Sequence, residues 1–297
     1  MTTSAAARTI AIGDIHGCLL ALNAILGAID PQPDDVIVTL GDYVDRGPDS
    51  RGVLERLIAL AGQCRLVPIL GNHDDMLLQA RYGLHPRAFL GMGGIATLAS
   101  YGASSPPDVS VIPDEHIAFL ETCVDYHETE THIFLHATYV SHLPMSQQPS
   151  LALRWESLRD GIPDAHHSGK TVIVGHTSQK SGEILDLGHI KCIDTRCYGG
   201  GWLTALDVHT GGSGRRTGMG GYATALEQKK PAPELDRQIR SSRRRGLWAR
   251  LQAEQTPVIR KRWPEGRKPW ARLTASRIVR ISSLRNSTTR LQTVQCM

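Results

Sequence analysis

Short apolar runs that end in a polar, glycine-flanked loop recur along the first half of this 297-residue chain. The clearest case is the run at 36–40 (VIVTL), which leads directly into residues 41–47 (GDYVDRG). Similar runs lead into residues 13–17 (GDIHG) and 71–74 (GNHD), and a helical pattern follows each loop. Runs of this length are typical of buried strands. Because parallel strands present their carboxyl ends at one edge of a sheet, the pattern predicts an α/β fold with its chemistry at that edge.

Two further apolar runs end in histidine. Residues 131–135 (THIFL) lead into His136, and residues 171–174 (TVIV) lead through a glycine into His176. Their length and apolar content again predict strands. Three more strands are predicted near the end of this region, at 182–187, 189–193 and 202–208.

Two local features refine the topology. Pro68 lies within the run at 66–70, and because proline has no backbone N–H, we expect this strand at a sheet edge or with a bulge. Residues 82–125 contain no comparable strand pattern but two helix-like stretches, at 93–102 and 113–123. We interpret residues 82–125 as a helical lid or cap segment inserted over the polar edge.

The strand ends together present side chains of the types that bind metal ions. The set comprises Asp14, His16, Asp42, Asn72, His136 and His176. Carboxylate, imidazole and amide ligands suit manganese, iron or zinc better than calcium. Six such ligands with one shared carboxylate would hold two metals about 3.5–4 Å apart, an arrangement used for in-line displacement at phosphorus. Arg46, in the same loop as Asp42, adds a planar donor for phosphate oxygens.

These motifs resemble those of a known family. Residues 13–17, 41–47 and 71–74 resemble, in order, the GDxHG, GDxVDRG and GNH[DE] motifs of the calcineurin-like metallophosphoesterases. More narrowly, they resemble the phosphoprotein phosphatase branch with its bacterial and phage members. His136 and His176 match the two later histidine motifs of that branch in order and context.

The resemblance extends through most of the first 210 residues. Residues 193–206 resemble the closing strands of the same branch, and residues 93–102 are similar to a segment common in its bacterial members. The resemblance therefore covers roughly residues 8–210. It implies an α/β (α+β) fold, a calcineurin-like four-layer αββα sandwich with two mixed β-sheets and a dimetal site at the C-terminal ends of strands.

The resemblance also implies how the ligands are shared between two metals. One metal would be held by Asp14, His16 and Asp42. The other would be held by Asp42, Asn72, His136 and His176, with Asp42 as the bridge. Manganese is the metal that we prefer for both positions, and iron and zinc also accept these ligands.

Catalytic roles follow from the same resemblance. A hydroxide that bridges the metals would attack phosphorus directly and in line, without a phosphoenzyme. His73 would act as the general acid that protonates the leaving oxygen, and Asp45 would orient His73. Arg46 would clamp the phosphate oxygens, and Asn72 would contribute to substrate-phosphate binding as well as to the metal site.

A second phosphate-binding arginine is expected between the two histidine motifs, near a tryptophan. Arg154 and Arg159 flank Trp155 in that interval. In the common pattern the arginine follows the tryptophan by two residues, and this sequence departs from it. Arg154 is our choice, and Arg159 stays open as the alternative.

The function implied by the resemblance is that of a metal-dependent phosphomonoesterase, foremost a serine/threonine protein phosphatase. Its substrate would be a phosphoprotein or a small phosphoester. A symmetrical bis(5'-nucleosyl)-tetraphosphatase is the nearest alternative, because it resembles the branch in every metal motif. An alternative of another class is a catalytically silent protein that binds polyanions through a basic tail.

Charge divides the chain in two. Residues 1–210 carry 13 Lys and Arg against 24 Asp and Glu, whereas residues 211–297 carry 20 against 5. We therefore predict a catalytic domain at 1–210 and a basic, disordered or loosely ordered extension at 211–297, which could bind nucleic acid or an acidic partner. No apolar stretch is long enough for a membrane span. The six cysteines are scattered without CxxC spacing, which favours a reduced, cytoplasmic setting.

Four remaining residues carry weaker signals. His166 and His167 lie in a polar loop, so we expect both to be solvated. Tyr43 and Tyr198 could line the mouth of the site or pack against the sheet, and the sequence leaves both interpretations open.

Overall fold

A computed structural model describes residues 7–103 and 108–217, and within these ranges ten strands form two five-stranded sheets. In chain order the strands are β1 (Thr9–Ile12), β2 (Val36–Thr39), β3 (Arg65–Pro68), β4 (Tyr126–Glu128), β5 (His132–Leu135), β6 (Thr171–Val174), β7 (Leu185–Asp186), β8 (Ile190–Cys192), β9 (Trp202–Asp207) and β10 (Ser213–Thr217). The helices are α1 (Leu19–Ile29), α2 (Ser50–Leu60), α3 (Asn72–Arg81), α4 (Pro86–Phe89), α5 (Ile95–Ser100), α6 (Asp114–Glu121) and α7 (Ser150–Arg154), with a π-helical turn at Leu90–Gly94 and short 3₁₀ turns at Val109–Val111, Met145–Gln147 and Cys197–Gly199.

The first sheet has the strand order β10-β9-β1-β2-β3. Strands β1, β2 and β3 run parallel, β9 pairs antiparallel with β1 on its other side, and β10 pairs antiparallel with β9. Among the described residues β3 is therefore an edge strand, as predicted from Pro68, whose missing N–H is tolerated there. The parallel register brings the ends of β1, β2 and β3 to one edge, which is where the acidic loops emerge.

The second sheet has the order β4-β5-β6-β8-β7. Strands β5, β6 and β8 run parallel, whereas β4 and β7 are antiparallel to their neighbours. Both sheets are thus mixed. The loops after β5 and β6, which carry the two motif histidines, lie at the same edge of this sheet.

The two sheets pack against each other through alternating side chains. On β5, Phe134 belongs to the cluster shared with the first sheet, while Ile133 and Leu135 face the opposite side. On β6, Ile173 faces the first sheet in the same way. A period of two is what a strand requires to bury both faces. The predicted α/β sandwich with two mixed sheets is confirmed.

Helices complete the fold around the first sheet. The buried face of α1 consists of apolar residues at helical spacing, namely Ala21, Leu22, Ile25 and Leu26. Helix α1 contacts α2, β9 and β10, and α2 in turn contacts α5 and α6. Within residues 82–103 and 108–125 the structure has helices and turns and no strand, as the sequence predicts.

The structure describes only the first seven residues of the predicted basic extension, 211–217. Residues 213–217 form β10, which pairs with β9 and so continues the first sheet. Residues 218–297 lie outside the described residues. None of the described helices has the length and apolar character needed to cross a bilayer. The five cysteines within the described ranges are free thiols.

Candidate metal centre

The loops that follow β1 and β2 are joined by backbone hydrogen bonds. The backbone N–H groups of Ile15 and His16 both donate to the carbonyl of Asp42, at 3.1 and 2.7 Å. The third loop approaches equally closely, because a Cβ atom on Gly71 would lie 2.2 Å from the nitrogen of Asp42. Glycine at this position therefore lets Asn72 and His73 enter the site at the start of α3.

Five non-glycine residues at this edge have a left-handed backbone. They are His16, Asp42, Asp45, Arg46 and His176, with φ values of 44°, 52°, 71°, 69° and 59°. This region is unfavourable for residues with a side chain, and such residues cluster at functional sites. The strained backbone turns their side chains toward a common space.

Asp42 stands at the centre of that space. Its Oδ2 lies 3.3 Å from Nε2 of His16, and its Oδ1 lies 3.4 Å from Nε2 of His136. Oδ1 also accepts the backbone N–H of His73 at 3.0 Å. One carboxylate therefore faces two separate imidazoles with its two oxygens, which is the arrangement that a bridging ligand requires.

Each of the three predicted histidine ligands has one ring nitrogen engaged by a backbone carbonyl. His16 Nδ1 and His136 Nδ1 donate to the carbonyls of Val44 and Leu40, at 2.9 and 2.7 Å. His176 Nε2 donates to a backbone carbonyl at 3.1 Å. A donated N–H fixes the tautomer and leaves the other nitrogen with a lone pair. The free nitrogens are those that point into the site.

Two of these free nitrogens meet the side chain of Asn72. Nε2 of His136 and Nδ1 of His176 are 3.2 Å apart, and Oδ1 of Asn72 lies 3.1 Å from each. Three acceptor atoms that converge without a proton among them repel one another unless a cation lies between them. The chemistry of this donor set therefore fits a divalent metal ion.

Asp42 belongs to both groups of candidate ligands found among the described residues. In each group the ligand atoms lie within 4.8 Å of one another; one contains His16, Asp42 and His73, and the other contains Asp42, His136 and His176. Asp14 belongs to neither group. Its carboxylate instead accepts the backbone N–H of His176, at 3.1 and 3.0 Å, and so joins the ends of the two sheets.

Burial and charge shift the pKa values of these groups. Burial lowers the pKa of His176 to about 3, and the neighbouring His136 adds to this. Burial lowers the pKa of His136 as well, although Asp42 opposes the shift. Burial raises the pKa of Asp14 well above its usual range, and Asp194 and Asp42 add to the shift. Neutral imidazoles and crowded carboxylates are both stabilised when a cation binds.

The proposed catalytic residues lie beside this centre. Nδ1 of His73 donates to Oδ2 of Asp45 at 2.7 Å, and both side chains are buried. The Arg46 guanidinium lies 2.9 Å from Nε2 of His16 and 2.7 Å from Nε2 of His73. It also stacks on the ring of Tyr198, whose centroid is 4.6 Å from Cζ. Arg46 thus connects His16, a candidate metal ligand, with His73, the candidate proton donor.

The sequence left open whether Tyr43 and Tyr198 line the mouth of the site or pack against the sheet, and the structure places them differently. Tyr198 lies in the site, since its ring also meets His16 edge-on at 4.7 Å. Tyr43 is fully buried, and its hydroxyl donates to the carbonyl of Ile69 at 2.6 Å. Tyr43 therefore packs beneath the site and does not line it.

Arg154 and Arg159 have partners of their own. The Arg154 guanidinium pairs with Asp125 and lies 3.7 Å from Oδ1 of Asp75. Arg159 donates to the backbone carbonyl of Ser178, two residues after the motif histidine. Neither contact favours one arginine over the other as a phosphate ligand, so Arg154 stays a prediction.

The structure adds one residue to the site and corrects one minor prediction. Asp194, two residues after the end of β8, is buried and raises the pKa of Asp14. Asp194 follows the predicted strand at 189–193, as the other candidate ligands follow theirs, so the same pattern in the sequence could have indicated it. His166, which was expected to be solvated, is buried because its ring nitrogens bind Ser168 and the carbonyl of Leu143. That prediction was wrong.

Comparison with known proteins agrees with this geometry. The sequence model of the calcineurin-like phosphoesterases matches residues 7–182. Serine/threonine-protein phosphatase 1 of Salmonella typhimurium is 31% identical over 208 residues, which are 66% of this chain and 90% of that relative. A symmetrical bis(5'-nucleosyl)-tetraphosphatase of Acidovorax sp. is 49% identical over 73 residues, which are 24% of this chain and only 25% of that relative.

Solved structures share the fold at lower identity. The crystal structure of "a putative diadenosine tetraphosphatase" aligns with a TM-score of 0.53 and 24% identity, covering 70% of this chain and 92% of that one. A cold-active protein-tyrosine phosphatase of a psychrophilic Shewanella aligns with a TM-score of 0.50 and 17% identity, covering 70% of this chain and 80% of that one. These similarities concern the fold alone.

A sandwich of two mixed sheets with a buried carboxylate, amide and imidazole cluster at one edge defines a metallophosphoesterase. The chain belongs to the calcineurin-like phosphoesterase family. It is a hydrolase that acts on phosphoester bonds, and members of its family use a dimetal site. The predictions of family, fold and enzyme class are confirmed at this level.

Proposed function

We propose that this hydrolase is a phosphomonoesterase that removes phosphate from serine and threonine side chains of proteins. The observation that carries the proposal is the extent of similarity. The alignment with the Salmonella serine/threonine-protein phosphatase spans 90% of that relative, whereas the Acidovorax tetraphosphatase is matched over 25% of its length. A match along nearly the whole of a relative compares almost all of its loops, whereas a match over 25% leaves three quarters of the relative uncompared.

Candidate ligands for the two metals are distributed over the ends of both sheets. Asp14, His16 and Asp42 would hold one ion, and Asp42, Asn72, His136 and His176 would hold the other. Manganese is our proposal for both. When bound, such ions neutralise phosphate charge and lower the pKa of a coordinated water to about 7.

The protein's own residues would complete the reaction. His73 would donate the proton from Nε2 to the leaving oxygen, since its Nδ1 is already held by Asp45 at 2.7 Å. Arg46 would exchange its imidazole contacts for two phosphate oxygens, which its planar guanidinium can bind together. Asn72 and Arg154 would add further contacts to the phosphate.

A direct comparison of substrates tests the proposal. Purified protein with Mn²⁺ is given a phosphoserine peptide or diadenosine tetraphosphate, and kcat/KM is measured for each. We expect the peptide to be the better substrate, and an Asp42→Asn variant to lose activity on it. A clear preference for the dinucleotide would overturn the proposal.

The second candidate function is symmetrical cleavage of dinucleoside tetraphosphates. The 49% identity to the Acidovorax enzyme is the specific observation that favours it. Symmetrical cleavage of diadenosine tetraphosphate would release ADP as the sole nucleotide, whereas a monoesterase would release little or none. Chromatography of the products therefore distinguishes the two candidates.

Two further parts of the proposal concern the setting of the enzyme. A reduced, cytoplasmic compartment fits the five free thiols of the described ranges. Residues 211–297 carry 20 Lys and Arg against 5 Asp and Glu, and 18 of these basic residues lie beyond β10. They would bind nucleic acid or an acidic partner by charge. A truncation after Thr217 keeps β10, and it should abolish salt-sensitive binding to a polyanion such as heparin. Unchanged binding would remove this part of the proposal.

A further inference from the structure

The carboxylate of Asp45 makes two hydrogen bonds, one at each oxygen. Oδ2 accepts from Nδ1 of His73 at 2.7 Å, and Oδ1 accepts from Oγ1 of Thr97 at 2.7 Å. Thr97 lies on α5, which is 52 residues further along the chain. All three side chains are buried from solvent. Thr97 therefore touches the residue that orients the candidate general acid, without touching the general acid itself.

The direction of each hydrogen bond around Thr97 can be assigned. A threonine hydroxyl has one proton, and the Thr97 proton must go to Asp45 because a carboxylate can only accept. The hydroxyl of Ser50, 3.1 Å away, must then donate to Oγ1 of Thr97. The backbone N–H of Asp45 donates to both hydroxyl oxygens, at 2.8 Å to Thr97 and 3.1 Å to Ser50. Thr97 thus binds Asp45 at its backbone and at its carboxylate simultaneously.

Asp45 needs such support because its own backbone does not fix it. Its φ of 71° is unfavourable for a residue with a side chain. If Oδ1 had no donor, a buried charged oxygen would be left unsatisfied, and the side chain would be free to rotate except for its single bond to His73. The bond from Thr97 removes that freedom and holds Oδ2 toward His73.

The same segment also supports the next residue of the loop. The backbone N–H of Arg46 donates to the carbonyl of Gly93 at 3.4 Å, in the π-helical turn just before α5. A Cβ atom on Gly93 would lie 3.0 Å from Cγ of Arg46, and the glycine has a φ of 124°. Residues 93–97 therefore contact both Asp45 and Arg46.

We infer that Thr97 is a positioning residue for general-acid catalysis, acting through Asp45 on the orientation of His73. The inference deepens the proposed phosphomonoesterase function and rests on it. Residues 93–97 would thereby support the loop at 41–47 that carries Asp45 and Arg46.

Two variants of Thr97 test the inference. Thr97→Val removes the hydroxyl and keeps the shape, whereas Thr97→Ser keeps the hydroxyl. Each is assayed with a phosphoserine peptide, whose alkoxide leaving group needs a proton, and with p-nitrophenyl phosphate, whose phenolate leaves readily without one. Thr97→Val should lower kcat for the peptide about tenfold and kcat for the nitrophenyl ester by less than about threefold, because general-acid catalysis contributes about 10²–10⁴-fold. KM should change little, and Thr97→Ser should restore most of the rate.

Ser100→Ala is the matched control. Ser100 lies on the same helix, its hydroxyl donates to the carbonyl of Thr97 and accepts the backbone N–H of Arg51, and within the described part of the chain it makes no hydrogen bond to Asp45. We expect this variant to hydrolyse both substrates at the normal rate. If Thr97→Val does not fold, Ser50→Ala replaces it, since it removes the donor to Thr97 and should produce the same selective loss to a smaller degree.

The outcomes separate this inference from the proposed function. Equal losses on both substrates would mean that Thr97 only stabilises the fold, and full activity of Thr97→Val on the peptide would overturn the inference while leaving the function intact. A wild-type protein that hydrolyses neither monoester would instead overturn the proposed function. A loss confined to the peptide, with recovery in Thr97→Ser, supports the inference.

Discussion

The loop at 41–47 and the segment at 154–159 each supply a candidate phosphate arginine, but the two arginines have opposite surroundings. Arg46 contacts two imidazoles and an aromatic ring. Arg154 pairs with the carboxylates of Asp75 and Asp125. A guanidinium whose charge is compensated by the protein offers less to an anionic ligand than one next to neutral rings. The contrast predicts that Arg46 contributes far more to phosphate binding and to the transition state.

Removal of each arginine is the strongest test of this contrast. Arg46→Ala should lower kcat/KM for a phosphopeptide by about 10²–10³-fold, because it removes a donor aimed at developing charge. Arg154→Ala should lower it by about tenfold or less. Steady-state kinetics with Mn²⁺ measures both, and Arg159→Ala, assayed alongside them, tests the alternative phosphate arginine of the same segment. A larger loss in Arg154→Ala would reverse the contrast.

Neutralising a partner of Arg154 should affect stability in a pH-dependent way. Burial raises the pKa of Asp75, and the opposing effect of Arg154 does not cancel it. When the pKa of an acid is higher in the folded than in the unfolded state, the folded protein loses stability as pH rises from about 4, the unfolded value, through the folded value. Asp75→Asn should therefore increase the free energy of unfolding relative to the wild type by about 1 kcal/mol at pH 8, with a smaller gain at pH 5.

Urea unfolding at the two pH values measures this difference. The amide of Asn can still accept from Gln79, as the carboxylate does at 2.9 Å, so the shape of the site is kept. Destabilisation at pH 8 would mean that the ion pair with Arg154 outweighs the penalty of burial.

Arg8 and Asp35 provide a reference pair with the opposite pH dependence. The guanidinium of Arg8 donates to Asp35 and lowers the pKa of that carboxyl, with burial acting against it. A lowered pKa means that the stabilisation is complete above pH 4 and is lost as pH falls through the folded value. Asp35→Asn should cost about 1 kcal/mol at pH 7 and progressively less below pH 4. Thermal unfolding across this pH range measures it, and a cost that grows in acid would contradict the assignment.

The ring under Arg46 should have the smallest effect. Tyr198→Leu removes the aromatic face at 4.6 Å and should raise KM by about two- to fivefold, which corresponds to a cation–π contact of about 0.5–1 kcal/mol. Tyr198→Phe keeps the face and should behave like the wild type. If Tyr198→Phe is as impaired as Tyr198→Leu, then the hydroxyl matters and the ring does not.

Much of this site could be predicted from the sequence because its residues follow strands directly. Asp42 comes two residues after the apolar run ends at Leu40, so the strand alone fixes where its side chain emerges. The histidines after β5 and β6 follow the same rule, and Asp194 after β8 could have been included by it. For these residues, local sequence determines position because the sheet edge is shared.

Other residues depend on partners far along the chain. Thr97 reaches Asp45 across 52 residues, and Arg154 reaches Asp125 across 29. No periodicity or spacing encodes such pairs, because the packing of helices and loops on the sheets decides them. His166 shows the same limit in reverse, since its side chain is buried within an otherwise exposed polar loop, where its ring nitrogens contact a carbonyl and a hydroxyl.

The left-handed backbone at five site residues has a consequence for engineering. Glycine would relieve strain at positions such as Arg46, where φ is 69°, and release about 1 kcal/mol. A library screened only for heat tolerance would therefore drift toward glycine at these positions and lose turnover first. Selection for a thermostable variant of this enzyme must therefore measure hydrolysis in every round. The backbone conformation that lowers stability at these positions is the one that directs their side chains into the site.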